Sequence, residues 1–112
     1  MKQPTLGEPR SHEVAVAFDE WFGVVIKGLG KTMDDSVEVY IGNIPHDIDL
    51  VHFYNFIDKL AQGQCNQLRL RRFDGFRLYG FAAISANKAS ETIKKINGQQ
   101  LNSRELKSYL AV

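Results

Sequence analysis

The sequence predicts an α+β domain whose strands and helices alternate in the order βαββαβ, the split βαβ plan. Three observations predict it. Four stretches suit strands, alternating most clearly in the first two, and two others place apolar residues at helical spacing. Turn and cap residues punctuate them: Asn43-Ile44-Pro45-His46, Gly63, Asp74-Gly75 and Asn97-Gly98. The chain has 112 residues, 44% of them hydrophobic, which is enough for one domain with a real core and too few for two.

The elements follow in order. Val37-Glu38-Val39-Tyr40-Ile41-Gly42 alternates as a strand does, and Pro45, which cannot donate to a ladder, marks its end. Asp47 or Asp49 can cap the helix that follows, whose apolar face is Leu50, Phe53, Tyr54, Ile57 and Leu60, and Gly63 closes it. A second strand spans 67–72, with Leu68 and Leu70 on one face. After the Asp74-Gly75 turn, a third runs from Arg77 to Ile84. A second helix covers about 88–96, with Ala89, Ile93 and Ile96 inward, and stops at Asn97-Gly98. A last strand runs near Leu106 to Ala111.

Residues 1–35 precede this domain as an extension. They carry a net −2, whereas residues 36–112 carry +3, and the polar stretch from Gly30 to Ser36 is the expected joint. Ser11 can cap a helix that sets Val14, Phe18, Trp21, Phe22, Val25 and Leu29 on one stripe. Gly23 and Gly28 weaken that helix, and Val14-Ala15-Val16-Ala17-Phe18 also alternates as a strand would. The helix is the favoured reading. Its stripe would dock on the domain, pair with a second copy or another protein through the Val14–Leu29 segment, or lie across the sheet as an acidic lid.

Composition narrows the function. A net charge of +1 excludes a strongly basic polymer binder. The single cysteine, Cys65, excludes an internal disulfide framework and a multi-cysteine zinc site and suits a reducing, intracellular compartment, cytoplasmic or nuclear. Met1-Lys2-Gln3-Pro4 lacks the order of a signal peptide, and Val14–Leu29 carries Asp19, Glu20 and Lys27, so no membrane span is expected and the chain reads as soluble. His12, His46 and His52 have no metal-ligand spacing. Gly28-Leu29-Gly30-Lys31-Thr32 lacks the first glycine of a phosphate loop. No catalytic constellation, metal site or cofactor is expected.

The parity of the strands carries the chemistry. With Val39 and Ile41 turned to the helices, Tyr40 faces the other way; with Gly80 and Ala82 inward, Tyr79 and Phe81 face outward. The first and third strands are central neighbours in this topology, so three rings stand side by side. Such a cluster is costly unless something stacks on it, and nucleobases stack on aromatic rings for about 1–3 kcal/mol each. Gln67, Arg69 and Arg71 share the outward face of the second strand, Arg77 begins that of the third, and Lys107 and Tyr109 share that of the fourth. Rings for bases amid cations for phosphates make a platform for a single strand. Arg72 is a further cation near it. Phe73 and Phe76 flank the Asp74-Gly75 turn, as loop packing or as extra base contacts.

Two segments carry a resemblance. Val39-Tyr40-Ile41-Gly42-Asn43-Ile44 and Arg77-Leu78-Tyr79-Gly80-Phe81-Ala82-Ala83-Ile84 resemble the six- and eight-residue ribonucleoprotein signatures of the RNA-recognition-motif family. The first matches fully. In the second, Leu78 stands for the usual glycine, Ala82 for a larger aliphatic and Ile84 for an aromatic. The resemblance covers about 36–112. It implies a ferredoxin-like sandwich, a four-stranded antiparallel sheet backed by two helices, that binds single-stranded RNA without catalysis. It further implies that Tyr40 and Phe81 stack on neighbouring bases, Tyr79 packs against sugar and Arg77 pairs with phosphate. The expected RNA-contact set is thus Tyr40, Tyr79, Phe81, Arg77, Arg69, Arg71, Asn43, Lys107 and Tyr109. The alternative is a protein-interaction or dimerisation module that uses the sheet face or the N-terminal helix.

Overall fold

A computed structural model gives the fold and describes residues 14–20 and 23–111. The chain opens with a hairpin, β1 (Val14–Asp19) and β2 (Gly23–Gly28). Then come β3 (Ser36–Pro45), α1 (Leu50–Leu60), β4 (Cys65–Arg72), β5 (Arg77–Ser85) and α2 (Ala86–Ile96). Two short strands, β6 (Gln100–Leu101) and β7 (Arg104–Glu105), form a separate hairpin before β8 (Lys107–Leu110). The main sheet is antiparallel, in the order β1-β2-β4-β5-β3-β8.

The βαββαβ order is present, with both helices on one face of the sheet. Between β3 and β8 the two helices and four main strands follow the pattern, and the β6–β7 hairpin is added to them. Asp49 caps α1 by accepting from the His52 backbone N–H at 2.9 Å, and Phe53, Tyr54 and Ile57 turn inward. They meet Val39, Ile41, Leu68, Leu70, Ala82 and Ile84, one alternate set from each central strand, together with Ile96 of α2. β3 runs farther than its pattern implies. A bulge between Ile41 and Ile44, with Asn43 at φ 63°, carries it on to Pro45. The turn between β6 and β7 needs positive φ at both central residues, supplied by Asn102 (46°) and Ser103 (68°).

The N-terminal extension departs from the expected helix, and the sheet has six strands rather than four. Val14–Asp19 and Gly23–Gly28 pair as strands, and β2 then pairs with the outer edge of β4, Val24 opposite Leu70 and Ile26 opposite Leu68. The physical reason is that the β-branched residues suit a ladder better than a helix, while Gly23 takes φ 84° at the turn. A Cβ there would come within 2.8 Å of the Leu70 carbonyl oxygen, so β2 starts close against β4 only as glycine. Ile26 is fully buried in the common core. The expected cap Ser11 and the stripe residues Trp21 and Phe22 lie outside the described residues.

The segment expected as a polar joint holds an anchor. The Lys31 ammonium donates to Asp58 Oδ1 at 2.7 Å, to the Gly63 carbonyl at 2.9 Å and to the Cys65 carbonyl at 3.3 Å. Asp58 is only 6% exposed and also accepts from the Cys65 backbone N–H at 3.0 Å. A buried carboxylate is tolerable only when paired in this way. Lys31 therefore fastens the chain just after the hairpin to the junction of α1 and β4.

Candidate nucleic-acid interface

The face of the sheet away from the helices is organised in rows, because residues directly opposite one another in an antiparallel ladder share a face. The central row reads Tyr109 (β8), Tyr40 (β3), Phe81 (β5), Arg69 (β4), Val25 (β2) and Ala17 (β1). To one side lies Glu38, Ala83, Gln67, Lys27 and Ala15. To the other, Tyr79 sits opposite Arg71, and Lys107 opposite Gly42.

The rings make one connected cluster. Tyr40 stacks on Tyr109 with centroids 4.5 Å apart and planes 19° off parallel. Its centroid lies 5.8 Å from Phe81 and 6.4 Å from Tyr79, and Tyr79 lies 6.3 Å from Phe81. Phe73 extends the cluster edge-on to Tyr79 at 6.2 Å, whereas Phe76 meets His46 instead. Tyr109 is 57% exposed, and Tyr40, Tyr79 and Phe81 are each partly exposed. Burial first, then the neighbouring Tyr109 and Tyr79, push the Tyr40 phenol above its ordinary value, so it remains a neutral ring.

Two glycines set this geometry. Gly42 leaves the space onto which the Tyr40 ring leans, and a Cβ there would strike the phenol. Gly80 lets β5 approach β4, since its Cβ would collide with the Arg69 carbonyl oxygen. A cleft of about 380 Å³ opens beside the rings, lined by Tyr40, Gly42, Asn43, Phe73, Arg77, Leu78, Tyr79 and Lys107.

The cations are already engaged. Arg69 reaches Glu38 at 2.6 Å and lies over the Phe81 ring, 5.6 Å from its centroid. Arg77 bonds Asp74 through Nε at 3.0 Å and Nη2 at 2.6 Å, and sits 4.8 Å from the Phe73 centroid. That bond, with backbone N–H groups of Phe76 and Arg77, holds the Asp74 carboxyl down at about 2. Lys107 lies 3.5 Å from Glu105. Asn43 is bound structurally: it donates to the Glu105 carbonyl at 2.8 Å and accepts from Arg104 at 3.3 Å.

The structure thus brings Tyr40, Tyr79, Phe81, Tyr109, Arg69 and Arg71 onto one face, and sets Arg77, Asn43 and Lys107 around the cleft at its end. Reading the sequence missed Glu38 and Asp74 as partners of the arginines. Parity could have found Glu38, two residues before Tyr40 and so on the same face. It also left Lys27 in the extension, where only the pairing of β2 with β4 reveals its place. Among the described residues, no group of three or more His, Cys, Asp or Glu could hold a metal ion, and no helix is long and apolar enough to cross a membrane.

No protein-family model and no curated protein matches this chain. Among solved structures, the chain is similar to one described as the Rna15 RRM with bound RNA (GU). The two share 26% identity at a TM-score of 0.55, over 66% of this chain and 81% of the other. That likeness, the two helices packed on an antiparallel sheet and the rings on its open face together suggest the fold of the RNA-recognition motif.

Proposed function

We propose that this protein binds short single-stranded RNA on the open face of its sheet, without catalysis. The observation that carries this reading is the ring cluster of Tyr109, Tyr40, Phe81 and Tyr79, partly exposed on a face that no described element covers. Apolar rings left in water this way gain by stacking on bases. The RNA-bound structure to which the chain is similar supports the same reading. Residues 36–112 form the binding unit, and residues 1–35 are its extension. Bases stack on Tyr40 and Phe81, and Tyr79 packs against sugar. Phosphates exchange with the carboxylates that now hold Arg69 and Arg77, while Arg71 and Lys107 add to the positive rim. Because Arg69 overlies Phe81 and Tyr109 overlies Tyr40, incoming bases slide under or replace these partners.

The test is a fluorescence-anisotropy titration of a random single-stranded RNA at two salt concentrations. Wild type should bind more weakly at high salt. Tyr40→Ala/Phe81→Ala should lose binding while remaining folded. A folded wild type that binds no RNA at either salt overturns the reading.

One observation favours a second reading, association with another copy. β1 is an edge strand whose outer backbone has no partner strand among the described residues, and it exposes Val16 (46%) and Phe18 (82%). If the edge pairs, sedimentation should show a dimer that Val16→Lys/Phe18→Lys converts to a monomer. A monomeric wild type at high concentration removes that reading.

A further inference from the structure

The hairpin of β1 and β2 widens the outer face by two strands, about 10 Å at the usual strand spacing. What it adds to that face is specific. β2 contributes Val25 next to Arg69 and Lys27 next to Gln67, and β1 contributes Ala15 opposite Lys27, Ala17 opposite Val25 and, at the far end, Asp19. The alanines are too short to shield Lys27, which is exposed. Arg69, Arg77 and Lys107 each face a carboxylate, but the Lys27 ammonium has no ion-pair or hydrogen-bond partner among the described residues. Among the described strand residues, two acidic groups share this face, and both lie at a distance. Asp19 is opposite Gly23 at the other end of the hairpin, four residues or about 13 Å along β2 from Lys27. Glu38 is three strands away and engaged by Arg69.

We infer that the hairpin is part of the RNA site, and that Lys27 takes a backbone phosphate of a strand that has passed over the rings and Arg69. This rests on the proposed RNA binding and extends it: the site accepts a longer strand than β4, β5, β3 and β8 alone can hold. Val25 and the two alanines form a low, uncharged floor beneath that added stretch. The described hairpin is then a continuation of the platform and not a lid over it.

The test compares wild type, Lys27→Ala, Lys27→Glu and Lys27→Arg, binding single-stranded RNAs of increasing length, with circular dichroism to verify folding. Wild type should gain affinity with length beyond what the rings alone hold. Lys27→Ala should lose that gain and bind the shortest RNA as wild type does. For the long RNA, its slope of log K on log salt should shrink by about 0.7, one phosphate contact on a single strand. Lys27→Glu should lose more, and Lys27→Arg should restore both affinity and slope. Equal affinity and slope in wild type and Lys27→Ala at every length overturn the inference while leaving the ring platform standing. No binding by folded wild type at any length overturns both.

Discussion

The two faces of the sheet are built from alternate residues of the same strands, yet they are finished differently. On the inner face Val39, Ile41, Leu68, Leu70, Ala82 and Ile84 are closed off by Phe53, Tyr54 and Ile57 of α1 and by Ile96 of α2. On the outer face Tyr40, Phe81, Tyr109 and Arg69 cover one another only in part. The inner side chains have a full set of partners within the chain. The outer ones have stopgaps, a ring on a ring and a guanidinium on a ring, that a ligand can improve upon. Stability should therefore belong to one face and binding to the other, and substitutions should separate them.

The largest effect expected is on the inner face. Phe53, 1% exposed, should cost about 3–5 kcal/mol when truncated to alanine. Urea unfolding would measure it, and a loss below 1 kcal/mol would break the contrast. Lys31→Ala comes next. It leaves the Asp58 carboxylate buried without its cation, and after allowing for the partial exposure of Lys31 we expect a loss of about 2–4 kcal/mol. Hydrogen exchange should show β2 and the start of β4 loosening first.

The outer face should respond the other way. Tyr40→Ala and Phe81→Ala should each weaken RNA binding by about 1–3 kcal/mol and change stability by less than about 1 kcal/mol. Gly42→Ala sharpens this point, because its methyl would push the Tyr40 ring aside with no ring removed. Weaker binding with an unchanged urea midpoint is the expected result.

Two titratable groups mark the same contrast with smaller effects. Burial pushes the Cys65 thiol well above its ordinary value, with Asp58 adding to the rise. A thiol reagent at pH 8 should label it only as fast as the protein opens, and far faster in urea. Asp74, at the exposed end, has its carboxyl lowered to about 2, chiefly by the Arg77 side-chain bond. A lowered value means that the bond supports the turn above the usual carboxylate range and is lost as pH falls toward 2. The Asp74 carboxyl resonance should titrate near 2, and Asp74→Asn should release Arg77 while scarcely moving global stability.

Much of this is legible in the sequence alone. The faces of α1, the cap at Asp49, the turn at Asp74-Gly75 and the outward parity of Tyr40, Tyr79 and Phe81 all follow from spacing within one element. What was hidden depends on partners distant in the chain. Val14, Phe18 and Val25 fit a helical stripe as well as strand alternation, and only the open edge of β4, some forty residues on, decides for strands. Lys31 reads as part of a polar joint until Asp58 is brought beside it. Arg69 reads as a free cation until the sheet brings Glu38, thirty-one residues away, beside it, whereas Asp74 lies only three residues from Arg77 and is hidden by the turn between them.

The most direct test of the outer face as the binding surface is a titration of the isotopically labelled protein with a short single-stranded RNA, followed by amide and aromatic NMR shifts. The account predicts shifts centred on Tyr40, Phe81, Tyr79 and Tyr109, reaching Arg69, with α1 and α2 undisturbed. Shifts confined to the helices, or none at saturating RNA, would contradict it.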